Sequence, residues 1–122
     1  MTKELGSTGE RIPVVGMGTY RLGGRIRPDR SLSAEAVNAL KLGFSLGMTL
    51  VDTAEIYGAG HSEEIVGEAI RSSREKMFVA TKVSPEHFDY DGVLRAADGS
   101  LKRLGMKSID LYQLHWPSSS IP

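Results

Sequence analysis

Four short apolar runs, at residues 14–18, 49–52, 77–82 and 109–115, punctuate the chain and read as β-strands. Between them the apolar positions shift to the spacing of an amphipathic helix. A first helix from about Ser33 places Val37, Leu40 and Phe44 on one face; a second from Ser62 uses Ile65, Val66, Ala69 and Ile70; a third uses Val93, Ala97, Leu101 and Leu104. Ser33 and Ser62 are the expected N-caps, Gly47 and Gly105 the expected C-terminal stops. Gly92 and Gly99 fall inside the third helix, where each should cost roughly 1 kcal/mol relative to alanine. Ahead of the first run, residues 3–5 and 11–13 flank Gly6-Ser7-Thr8-Gly9 and predict a small β-hairpin.

Apolar strands alternating with helices belong to a parallel sheet covered on both faces, either closed into a barrel or open and doubly wound. Spacing favours the barrel. From Gly18 to Asp52, Lys82 and His115 the intervals are 34, 30 and 33 residues, close to the ~31 per unit of an eight-unit barrel of ~250 residues. The expected fold is therefore α/β, the N-terminal half of a (β/α)8 TIM barrel. It comprises a β-hairpin, about four parallel strands and three helices in a single truncated domain over 1–122. An open dinucleotide-binding sheet would carry Gly-x-Gly-x-x-Gly after its first strand. Gly16-Met17-Gly18-Thr19-Tyr20-Arg21 fails that pattern at its last position, and Gly58-Ala59-Gly60-His61-Ser62 fails it too. Gly16 and Gly18 are read instead as places of close chain approach.

Composition narrows the partners. With 40% hydrophobic and 25% charged residues, the chain has the make-up of a globular domain. Lys+Arg and Asp+Glu are 15 each, a formal net charge of +0, and no long run of one sign offers a track for nucleic acid or an anionic membrane. The absence of cysteine removes disulfides and thiolate chemistry and fits a cytoplasmic location. The first residues, Met1-Thr2-Lys3-Glu4-Leu5-Gly6, lack the apolar core of a secretory signal, and no run is long enough to span a bilayer.

Side chains alternate across a strand, so Leu50 and Asp52 share a face, as do Phe78, Ala80 and Lys82, and Leu111, Gln113 and His115. Chemistry in such barrels sits at the C-terminal strand ends. Asp52, Lys82 and His115 each end one strand, and Tyr57 follows Asp52 in the next loop. Hydride transfer to a carbonyl leaves negative charge on oxygen, which must be stabilised and then protonated. A phenol is too weak an acid for this unless a cation stabilises its phenolate. At about 4 Å and an effective dielectric of about 20 that attraction is roughly 4 kcal/mol, an upper bound. Lys82 would be the cation beside Tyr57, Asp52 would hold Lys82 charged and in place, and His115 would orient the carbonyl oxygen. Each residue alone has a plainer reading as an ion pair, a packing aromatic or a core histidine. Four of them at matching unit positions favour the joint reading. Metal-dependent hydrolysis would need more ligands than His115 and Asp52, so no metal site is expected. His61 and His87 read as loop residues without a role.

These residues lie in segments that resemble the aldo-keto reductase family. The resemblance runs through Gly16-Met17-Gly18-Thr19-Tyr20, Gly47-Met48-Thr49-Leu50-Val51-Asp52-Thr53-Ala54, Tyr57-Gly58, Ser62-Glu63, Val66-Gly67, Ala80-Thr81-Lys82-Val83 and Asp110-Leu111-Tyr112-Gln113-Leu114-His115-Trp116-Pro117. It implies an oxidoreductase that reduces aldehydes or ketones with NADPH (or NADH), Tyr57 being the general acid, Lys82 and Asp52 its partners and His115 the carbonyl-orienting residue. It further implies that Gly18, Thr19 and Asp52 meet the cofactor, and that Tyr20 and Trp116 wall the pocket of a small carbonyl substrate. The groups that stack on the nicotinamide and wrap the pyrophosphate come mostly from the second half of the family's barrel.

A half-barrel leaves edge strands unpaired and an apolar interior open to water. Self-association, complementation by a second half-barrel, or a poorly folded product are the expected consequences. A catalytically inactive fragment or protein-interaction module is the alternative function, since the family also resembles potassium-channel beta subunits.

Overall fold

The computed structural model describes residues 1–121, so Pro122, the last residue of the expected domain, lies outside the described residues. Strands β1 (Thr2–Glu4) and β2 (Arg11–Pro13) pair antiparallel as the hairpin, with Thr2 opposite Pro13. Strands β3 (Met17–Gly18), β4 (Leu50–Asp52), β5 (Phe78–Val83) and β6 (Leu111–Leu114) form one parallel sheet in chain order. Helices α1 (Ser33–Ser45), α2 (His61–Ile70) and α3 (Tyr90–Leu104) make the crossovers. Parallel neighbours in chain order, joined by helices, are the wall of a (β/α)8 barrel, here its N-terminal half.

The core lies on the helix-facing side of this wall. Val51 and Val79 are fully buried there against Val37, Leu40, Ile65, Val66, Ile70 and Leu104, and each large aliphatic buried this way contributes about 1.5–3 kcal/mol. Burying residues 51 and 79 against helices turns Asp52 and Lys82 to the opposite, barrel-inner face. The parallel register sets Asp52 beside Ala80 and Lys82 beside Gln113. On this inner face Leu50, Phe78 and Leu111 are only half-buried.

Several local expectations are corrected. The first strand is confined to Met17 and Gly18, because Val14 donates its N–H to the Met1 carbonyl of the hairpin and both Val14 and Val15 stay exposed. The last strand starts at Leu111, since the Asp110 carboxylate, not backbone, takes the Val79 N–H. Neither expected serine is an N-cap. Helix α1 is preceded by Leu32, and α2 by Gly60 in a left-handed conformation, with no side-chain cap on either. Ser33 and Ser62 spend their hydroxyls elsewhere, on His61 Nε2 and on the Leu22 carbonyl. Among the described residues, α3 is the one α-helix with a side-chain cap, Asp89 accepting from the Gly92 N–H. Gly92 is thus in the first turn, where an added Cβ would lie 2.5 Å from Asp89 Oδ2, rather than a defect in the helix interior. The buried stripe of α3 is Gly92, Ala96, Ser100 and the expected Leu104, while Val93, Ala97 and Leu101 are only half-buried. On the facing helix α2, Gly67 is required by close approach: a Cβ there would lie 2.5 Å from the Leu104 carbonyl oxygen. Close approach also explains Gly16, whose Cβ would meet Leu50 at 2.8 Å, but not Gly18, which has nothing within 4 Å.

Candidate active site

Asp52 ends β4, Lys82 lies one residue before the end of β5, and His115 follows β6, its N–H donating to the Val83 carbonyl at 2.9 Å and extending the ladder. The three strands therefore deliver a carboxylate, an ammonium and an imidazole to one rim. Lys82 Nζ donates to Asp52 Oδ1 at 2.6 Å and to the Thr53 carbonyl at 2.8 Å. Its side chain is 14% exposed and that of Asp52 is 47% exposed, so the pair opens to solvent on the carboxylate side.

Tyr57 comes to the same rim on a tight turn over Tyr57–Gly60, where Gly58 and Ala59 take positive φ of 57° and 52°. Glycine is required at 58 because an added Cβ would collide with the Gly23 carbonyl, and the Gly58 N–H donates to the Arg25 carbonyl at 3.2 Å. The loop after β3 and the loop after β4 are thereby locked together. Lys82 Nζ lies 5.4 Å from the Tyr57 ring centre. The His115 ring meets Tyr57 edge-on at 5.6 Å, and Tyr20 does so from another side at 5.3 Å. Trp116 tilts against His115 at 4.6 Å. All six expected residues of the acid, base and pocket set are thus gathered into one cluster.

His115 is held below its ordinary imidazole value, first by burial and then by the Lys82 charge, with Asp52 and Glu55 opposing. Its Nδ1 is buried without a protein partner. Tyr20, on the exposed lip, is held below the usual phenol range by Arg21 and then Arg25. Gly18 is exposed and has open space beside it. Thr19 is fully buried, and both its N–H and its hydroxyl donate to the Asp52 carbonyl, at 3.0 and 3.2 Å. Thr19 therefore pins the backbone that carries Asp52. A cleft of ≈ 650 Å³ opens beside Tyr57, lined also by Tyr20, Glu55, Ile56, Ser84 and His87, a size suited to a small ligand.

Sequence reasoning missed the polar supports behind this rim. Glu63, fully buried on α2, accepts from Thr81 Oγ1 and from Arg103 Nε, both at 2.6 Å. The signal was available, since Glu63 stands in line with Val66 and Ile70 on the apolar stripe. Glu55 accepts from the Ser84 N–H and from His87 Nδ1, both at 2.8 Å, so His87 has a partner. His61 is not a loop residue either: it opens α2, is 5% exposed and is bonded on both ring nitrogens.

A parallel wall with this polar set at its C-terminal rim defines the class, the N-terminal half of a (β/α)8 barrel. More narrowly, the chain belongs to the aldo/keto reductase family, whose model matches residues 14–122. Methylglyoxal reductase YeaE of Escherichia coli (strain K12) is 43% identical over 108 residues, covering 88% of this chain and 37% of that protein. The thermostable aldo-keto reductase Tm1743, in complex with the inhibitor epalrestat, superposes with a TM-score of 0.97 at 47% identity, over 100% of this chain and 45% of its own. Aldo/keto reductase from Klebsiella pneumoniae in complex with NADP and acetate superposes with a TM-score of 0.84 at 36% identity, over 90% of this chain and 38% of its own. The chain thus spans less than half the length of these relatives.

Proposed function

We propose that this protein reduces the carbonyl group of small aldehydes or ketones to an alcohol using NADPH (or NADH), with Tyr57 as general acid. The observation that carries this reading is the convergence of Tyr57, Lys82, Asp52 and His115 on one rim from four separate stretches of chain. Complexes of Klebsiella pneumoniae relatives with NADP and NADPH support the choice of cofactor. The residues present fit such a group. Gly18 leaves open backbone, Asp52 Oδ2 has no protein partner among the described residues, and His115 Nδ1 is a buried polar atom with no hydrogen-bond partner among them. Gly18 and Asp52 would hold the cofactor directly, with Thr19 fixing Asp52 from behind. A bound nicotinamide supplies the hydride.

Proton handling falls to the chain itself. Tyr57 donates its phenolic proton to the carbonyl oxygen as negative charge develops there, and Lys82 stabilises the phenolate left behind. Asp52 and the Thr53 carbonyl keep the Lys82 ammonium in one position. His115, kept neutral by burial and by Lys82, can donate one hydrogen bond to the same oxygen without adding a charge. Tyr20 and Trp116 flank the rim and would wall the substrate.

The test is consumption of NADPH with methylglyoxal as probe, compared in the wild type and Tyr57→Phe. The account predicts consumption that falls at least ~100-fold in the variant while NADPH still quenches Trp116. Bound NADPH without consumption, or consumption indifferent to the substitution, contradicts it.

A second reading, an interaction module that associates with itself or with a complementary half-barrel, is favoured by one observation. β6 has a partner on one side only, and Leu114 and Trp116 beside it are 64% and 44% exposed. Light scattering tests it: a monodisperse monomer removes this reading. No helix among the described residues is long and apolar enough to cross a membrane, and a cytoplasmic location is part of the proposal.

A further inference from the structure

In the helix layer, where α1 and α2 begin, three polar side chains outside the Tyr57 cluster align in a different pattern. Ser33 Oγ lies 2.7 Å from His61 Nε2, and His61 Nδ1 lies 2.6 Å from Glu64 Oε2. Arg30 Nη1 is 3.1 Å from the same Glu64 oxygen and 3.0 Å from His61 Nδ1. A guanidinium N–H can only donate. The Glu64 carboxylate can only accept, so the shorter 2.6 Å contact places the imidazole proton on Nδ1, and both donors meet at Glu64 Oε2. The Arg30–Nδ1 approach is a donor–donor proximity rather than a bond. Nε2 is left as an acceptor for the Ser33 hydroxyl. Glu64 is held below its ordinary carboxyl value, first by the His61 hydrogen bond and then by Arg30, against its burial. It is thus an anion under the imidazole.

Nucleophile, base and orienting carboxylate in that order are the constellation that activates a serine, and the arrangement is recognised by geometry, not by fold or chain order. Its surroundings add what acyl transfer also needs. Ser33 is the first residue of α1, and Leu32 before it provides no side-chain cap. The backbone N–H groups of Ala34 and Glu35 accordingly have no acceptor among the described residues. They belong to the first turn of α1, which Ser33 opens, and the helix dipole there favours the negative charge of an oxyanion. Ser33 is half-buried, Leu32 beside it is 66% exposed, and the Arg30 side chain is 65% exposed, so the hydroxyl side is approachable from solvent.

We propose that Ser33, His61 and Glu64 form a second, hydrolytic site that takes small carboxylic esters with good leaving groups. The Ser33 oxygen bonds to the acyl carbon as its proton passes to His61 Nε2. Collapse breaks the ester C–O bond, and the departing alkoxide or phenoxide takes that proton. Water then attacks the acyl-Ser33, again through His61, and releases the carboxylic acid and the free serine. Nothing in this sequence uses Tyr57, Lys82 or a nicotinamide, so the site stands independently of the reductase reading.

A fluorophosphonate tests it directly, because the Ser33 oxygen displaces fluoride from phosphorus and leaves a stable adduct. Intact-mass and fragment spectra of the 122-residue chain should show one adduct, on Ser33 and not on neighbouring Ser31. Ser33→Ala should abolish it, His61→Gln should slow it at least ~100-fold and Glu64→Gln about tenfold. Glu64 is 42% exposed, so Glu64→Gln keeps the fold and remains informative should His61→Gln unfold. No adduct, adducts spread over several serines, or a rate unchanged in Glu64→Gln overturns the proposal and leaves these bonds as a strut between α1 and α2.

Discussion

Lys82 Nζ and Asp52 Oδ1 meet at 2.6 Å across 30 residues of sequence, and the same ammonium donates to the Thr53 carbonyl at 2.8 Å. Two adjacent strands thereby share one cation at the mouth of the wall. The ammonium is fixed by its neighbours, which is what the proposed stabilisation of a Tyr57 phenolate requires.

Lys82→Met removes the donor of the Thr53 carbonyl and the partner of Asp52. A loss of about 1–2 kcal/mol in urea unfolding is expected, the cost of an unmet buried acceptor. Asp52→Asn should cost less, because the Asp52 side chain is 47% exposed and water replaces the lost contact. Equal losses from both substitutions would show that the ion pair, rather than the Thr53 carbonyl, carries the stability.

Glu63 is fully buried, between Thr81 of β5 and Arg103 of α3. Glu63→Ala leaves Arg103 without its counter-charge and Thr81 without its acceptor. The expected cost is about 3–5 kcal/mol, read from the urea midpoint, with Glu63→Gln markedly milder. A small effect of the alanine variant would mean that water enters between α2 and α3.

Acid should weaken the fold through two groups. His115 is depressed in the folded state, so the unfolded chain takes up a proton first as pH falls below 6.5, and stability drops from there until the folded histidine also titrates. Glu64 is depressed from 4.5, so its contribution is present above that value and is lost as pH falls through the lower folded one. Urea unfolding between pH 7 and pH 3 should show a decline in two stages. His115→Gln should remove the earlier.

Alkali acts through Tyr112, whose hydroxyl is buried without a partner and whose ionisation is pushed up to about 12 by burial and by Glu55 and Glu63. The unfolded phenol ionises near 10, so stability is full below that value and lost as pH rises from 10 towards 12. Tyr112→Phe should be neutral or stabilising at pH 7, having no hydroxyl left unpaired. It should also flatten the alkaline limb of the unfolding profile. A strongly destabilised phenylalanine variant would reveal a partner for that hydroxyl.

The sheet and the rim were legible because apolar runs closed by a single polar residue, at Asp52 and His115, mark strand ends directly, and the repeat length fixed how the strands follow one another. Gly16 was legible as a close approach. What escaped was decided between elements. Ser33 and Ser62 look like caps, yet Gly60, left-handed at φ 94°, starts α2 earlier and sends Ser62 to the Leu22 carbonyl. The face of α3 could not be read from hydrophobicity, since its buried positions are the small Gly92, Ala96 and Ser100 besides Leu104, Gly92 being held by the Asp89 cap and Gly67 of α2 lying close to the Leu104 carbonyl. His61 and Glu63 carried polar names on a helix whose burial only the packing of α1, α3 and β5 reveals.

Solution NMR tests the shared rim most directly, without cofactor or turnover. The ring centres of Tyr57 and His115 are 5.6 Å apart and Lys82 Nζ is 5.4 Å from the Tyr57 ring. Cross-peaks from the Tyr57 ring protons to both the His115 ring and the Lys82 ε-methylene are predicted. Their absence from spectra that retain Val51 to Val79 contacts of the core would contradict the account, by showing a folded wall whose phenol, amine and imidazole stay apart.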